Sequence, residues 1–131
     1  MSYHDEPKGF SKSKEQAQGM LNDKSRIGNI INKALNILKR NPGNLRGFIE
    51  EIKTLIRLVR AYLNGSYSQI SQTSIVLILA GLIYLVNPLD VVPDFLLGVG
   101  FLDDATVLGF VILRTKSEIQ KFLDWETQLD T

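Results

Sequence analysis

Four carboxylates, Asp90, Asp94, Asp103 and Asp104, stand in a region from Ile75 to Leu113 that contains no Lys, Arg, His or Glu. Carboxylates among Val, Leu and Phe are costly unless they cap helices, meet cations or bind a metal. One chemistry they offer is a divalent cation site for Mg²⁺ or Ca²⁺, which prefer carboxylate and carbonyl oxygens, with hydrolysis as the reaction such a site supports. Asp90 and Asp94 lie four apart, and the Asp103-Asp104 pair can approach them across the intervening loop. The spacing is not that of an EF-hand, and no Glu closes the loop. Architecture accounts for the same residues. Asp103 is placed as an N-cap with Asp104 in the first turn of the helix it starts. Asp90 is placed to cap a short turn that tolerates Pro93. Asp90 or Asp94 also has Arg46, Arg57 or Arg60 as candidate ion-pair partners. Capping and pairing is the preferred reading, and a metal centre the alternative.

Other chemistry is poorly supplied. The chain has no cysteine and a single histidine, His4, in a polar N-terminal stretch. Thiolate sites, a Ser-His-Asp triad and a His-based zinc site are therefore not expected. Gly98-Val-Gly100 lacks the third glycine and the preceding strand of a dinucleotide loop. No nucleophile, phosphate-cradling loop or nucleic-acid reading pattern appears. An enzyme is not the expected reading, no cofactor beyond Mg²⁺ or Ca²⁺ suggests itself, and nucleic acid is not an expected partner.

The elements that must position these residues are helical. At 131 residues with 44% apolar content, the chain suits one domain with a modest core. Residues 1–12 read as a flexible tail. A first helix is expected from near Ser13, fraying before Asp23, with Ile27, Ile30, Ile31, Ala34, Leu35 and Leu38 at helical spacing. Asn41-Pro-Gly-Asn44 breaks it. A second helix, about Leu45 to Leu63, sets a broad apolar stripe against a basic face of Arg46, Lys53, Arg57 and Arg60. Ser74–Val86 has no polar face, so it is buried in protein or lipid. Asn87-Pro88 ends it. A last helix is expected from about Asp103 to Trp125, apolar in its first half and amphipathic in its second. The fold class is all-α with about four helices: an amphipathic N-terminal pair plus an apolar helical hairpin with an Asp-rich connecting loop. The expected organisation is a tail (1–12), an amphipathic helical region (13–72), the hairpin domain (73–126) and a short tail (127–131).

Charge is unevenly distributed. Residues 1–72 carry twelve Lys and Arg against six Asp and Glu, whereas residues 73–131 carry three against eight. The two halves complement each other, and the basic half also suits anionic headgroups. The longest apolar run is at the lower edge of what spans a bilayer, about 20 residues. A membrane-associated structural or interaction module is the leading expectation, on the cytoplasmic side of a bacterial inner membrane, with the bilayer or a membrane protein as partner. A soluble, cytoplasmic partner-binding bundle is the other.

Tyr84-Leu-Val-Asn-Pro-Leu-Asp-Val-Val-Pro-Asp94 followed by Gly100-Phe-Leu-Asp-Asp104 resembles the signature of the YkvA-like family (domain of unknown function 1232). Lys121-Phe-Leu-Asp-Trp-Glu126 is similar to the end of family members. The resemblance implies a small helical protein, often membrane-associated, with no established reaction. It marks Asn87, Pro88, Asp90, Pro93, Asp94, Gly100, Asp103 and Asp104 as the motif positions.

Overall fold

The computed structural model describes residues 10–40, 48–86 and 107–129. These form six helical segments and no strand among the described residues: α1 (Phe10–Gly19), α2 (Lys24–Arg40), α3 (Ile49–Leu63), α4 (Gln72–Val86), α5 (107–114) and α6 (Lys116–Leu129). The all-α expectation holds, but the helix count is six rather than about four.

Two differences raise the count. The helix expected from near Ser13 starts at Phe10 and is split in two. Residues 20–22 turn, and Asp23 restarts the chain as α2 by accepting the Arg26 backbone N–H at 3.1 Å. That bond satisfies an orphan donor of the new helix's first turn. The last helix is also divided, at Thr115. Its Oγ1 donates to the Val111 carbonyl at 2.7 Å, a back-bond that bends helices.

α4 is the axis of the molecule. Ser71 caps it, its Oγ accepting the Ser74 N–H at 3.1 Å. Eleven of its residues are buried, from Ser74 to Leu85. α1 packs along it most extensively, and α2 and α3 also touch it. α1 presents Phe10, Ser13 and Ala17 inward, and the two small residues allow close approach. On another side, Gly81 lies so near α5 that a Cβ there would stand 3.1 Å from Val111 Cγ2. The two charge-free segments therefore meet, and protein surrounds α4. Each fully buried Leu or Ile contributes about 1.5–3 kcal/mol through burial.

α3 ends where Gly65 takes a positive φ of 80°, a conformation glycine adopts without steric cost. The turn brings the Tyr67 N–H to the Ala61 carbonyl at 3.1 Å. Tyr67 and Ile70, in the connection between α3 and α4, are buried. Tyr67 meets Phe122 edge-on at 5.2 Å between ring centroids, and Trp125 at 5.0 Å. This cluster fastens α6 to the end of α3, and it places Trp125 in a packed interior contact.

Candidate functional site

The motif positions Asn87, Pro88, Asp90, Pro93, Asp94, Gly100, Asp103 and Asp104 lie outside the described residues, as does Arg46. Among the described residues, no three Asp, Glu, His or Cys side chains gather to hold a metal.

The expected basic face of α3 is largely answered within the protein. Arg57 donates from Nε to Glu126 Oε2 at 2.9 Å and from a terminal nitrogen to Oε1 at 3.1 Å. This fork-to-fork pair ties α3 to α6. The hydrogen bond to Glu126 raises the guanidinium above its ordinary pKa, against a smaller lowering by burial. An aspartate of the motif was the expected partner of Arg46, Arg57 or Arg60, and Arg57 has Glu126 in that role. Lys53 stands 3.8 Å from Glu50, one turn before it. Arg60 is exposed. A groove of about 280 Å³ beside α3 is rimmed by Glu50 and Glu51 over Ile112, Ile119 and Leu123, so this side offers carboxylates as much as cations.

α2 is different, and sequence reading passed over it in favour of α3. It contains no Asp or Glu. Lys24, Arg26, Lys33 and Lys39 are exposed along it. Residues 10–40 hold seven Lys and Arg against two Asp and Glu. One of those two, Asp23, is engaged in capping. The signal was present in the sequence as an acid-free helix, but it was averaged into the charge of the whole N-terminal half.

Arg26, Asn29 and Lys33 follow helical spacing of three and four, so they share one side of α2. With Gln16 of α1 they surround a pocket of about 230 Å³. Met20, Ile30 and Ile83 complete it, each less than one-tenth exposed. The pocket thus joins two cations and two carboxamides to an apolar floor, and no carboxylate lines it.

A separate polar oddity lies at the α6 end. The Tyr67 hydroxyl and Glu118 Oε2 are both buried without a hydrogen-bond partner among the described residues. Burial pushes the Tyr67 hydroxyl above its ordinary pKa of 10.0, with a smaller contribution from the Glu118 charge.

These features define a small helical module: an apolar central helix sheathed by amphipathic ones, with an acid-free basic helix on its surface. Residues 74–110, which include most of α4, match the family described as "Protein of unknown function (DUF1232)". The chain is 38% identical over 92 residues to the "Uncharacterized membrane protein YkvA" of Bacillus subtilis (strain 168), covering 70% of this chain and 85% of that protein. It is 35% identical over 98 residues to the E3 ubiquitin-protein ligase RNF170 of Xenopus laevis, covering 70% of this chain and 38% of that protein. No solved structure matches. The chain belongs to the YkvA-like DUF1232 family.

Proposed function

We propose that the protein is a membrane-associated structural or interaction module that rests on an anionic bilayer through α2, with α4 retained as its protein core. The observation that carries this reading is the acid-free, cation-bearing outer side of α2. Lys and Arg near an anionic surface each contribute about 1 kcal/mol of attraction. The name of the Bacillus relative, a membrane protein, agrees with it. No helix among the described residues is long and apolar enough to cross a membrane. α4 has fifteen residues, or about 22 Å at 1.5 Å per residue, against a hydrocarbon thickness of about 30 Å. Its neighbours α1, α2, α3 and α5 already cover it, so attachment at the headgroup level is the arrangement that leaves the core intact.

The test is flotation of the purified full chain with vesicles. The expected outcome is binding to phosphatidylglycerol-containing vesicles, little binding to pure phosphatidylcholine, and loss of binding as salt is raised. Failure to float with anionic vesicles at low salt overturns the reading.

A further inference from the structure

We propose that the pocket between α1, α2 and α4 seats the phosphate of an anionic lipid headgroup, with Arg26 and Lys33 on either side of it. This rests on the membrane reading above and names the place where contact becomes specific. Arg26 and Lys33 are seven residues apart, about 10 Å along the helix axis. That separation lets two long side chains converge on one anion from opposite ends. Asn29 stands between them on the same side of the helix and adds a carboxamide donor, and Gln16 adds another from α1. Neither cation meets a carboxylate among the described residues. Asp23, the nearest acid in sequence, directs its carboxylate to the Arg26 backbone N–H.

The floor decides the class of ligand. A site for free phosphate is expected to be polar throughout, because every phosphate oxygen needs a donor. Here Met20, Ile30 and Ile83 form one wall. They suit the glycerol carbons and first methylenes that adjoin a lipid phosphate. The volume, about 230 Å³, is below the usual range for drug-sized ligands, about 300–1,000 Å³, and suits a headgroup whose tails leave the pocket. Charge complementarity extends outward, since Lys24 and Lys39 are exposed on the same acid-free helix.

The experiment compares three full-length proteins on phosphatidylglycerol vesicles: wild type, R26Q/K33Q, and the charge-matched control K53Q/R60Q on α3. R26Q/K33Q is expected to bind about 30-fold more weakly, the loss of two surface cations. K53Q/R60Q is expected to change binding less than about five-fold, about one cation's contribution. Equal losses in the two variants overturn the pocket while leaving membrane attachment standing. Absence of wild-type binding overturns both. A second arm uses the wild type alone, so it does not depend on either variant folding. Amide shifts of Asn29 and Lys33 are followed by NMR with dihexanoyl phosphatidylglycerol and, separately, with inorganic phosphate. Saturable shifts with the short-chain lipid support the proposal. Shifts with inorganic phosphate alone, or with neither, overturn it.

Discussion

α2 carries five Lys and Arg and α3 three, and the two helices differ in how many meet a carboxylate among the described residues. α3 lies among carboxylates: Glu50 approaches Lys53, Glu51 shares its first turn, and Glu126 reaches across from α6 to take Arg57. α2 has none of its own. Both helices turn an apolar side into the core, so the contrast of interest lies on their outward sides. A helix that is basic by count is not a basic surface when its charges are already satisfied. Among the described residues no carboxylate pairs with the exposed cations of α2, and that contrast motivates the proposal that α2 faces an external anion.

The largest expected effect concerns what the two helices share. Ile31 of α2 and Leu55 of α3 are both nearly inaccessible. Ile31→Ala and Leu55→Ala are each expected to lower unfolding free energy by about 2–4 kcal/mol in urea melts, from lost burial plus the cavity. A loss in only one of them breaks the symmetry of the inner faces.

The contrast between the outer faces is sharpened by freeing Arg57. Glu126→Gln removes its charged partner and leaves an unanswered cation on α3. Affinity for anionic vesicles is expected to rise only if α3 also faces the bilayer, where one cation is worth about 1 kcal/mol or roughly five-fold. The account predicts a change under two-fold, alongside a stability loss of about 0.5 kcal/mol for a partly exposed pair.

The start of α2 rests on one carboxylate. Asp23→Ala is expected to cost about 1 kcal/mol in thermal or urea unfolding through loss of the cap. α3 has no side-chain cap at Phe48, so no single substitution there has the same effect.

The smallest effect expected at neutral pH lies at Tyr67. Its hydroxyl is buried and has no partner among the described residues, so Tyr67→Phe is expected to be within about 0.5 kcal/mol of neutral, or slightly stabilising. A raised hydroxyl pKa favours the folded state below the unfolded value of 10.0, and this contribution is lost as pH rises through the folded pKa. Melting curves above pH 10 should therefore fall for the wild type and fall less for Tyr67→Phe.

Much of the fold was legible because apolar spacing is a local signal. Ile27, Ile30, Ile31 and Ala34 marked the inner side of α2, and the polar-free run after Ser74 marked α4. What sheathes α4 was not legible. Ser74–Val86 by itself suits protein or lipid equally, because an element without a polar face only has to be covered. The missing cover is α1. Its low apolar content hid that Phe10, Ser13 and Ala17 would be fully enclosed, since two of its three inward residues are small. The partner of the α3 basic side was hidden for a related reason. Periodicity locates a charged side, but the partner that neutralises Arg57 is sixty-nine residues away. The aspartate motif drew the family resemblance correctly, while its own geometry lies outside the described residues.

The most direct test places a spin label at residue 36 on α2, which keeps Arg26 and Lys33, or at residue 53 on α3, and measures collisional access to lipid-soluble oxygen and to an aqueous nickel chelate on anionic vesicles. The label at 36 is expected to move from aqueous to headgroup-level access on binding, whereas the label at 53 is expected to stay aqueous. Equal membrane access at both positions, or a bound protein whose residue 36 remains fully aqueous, would contradict attachment through α2.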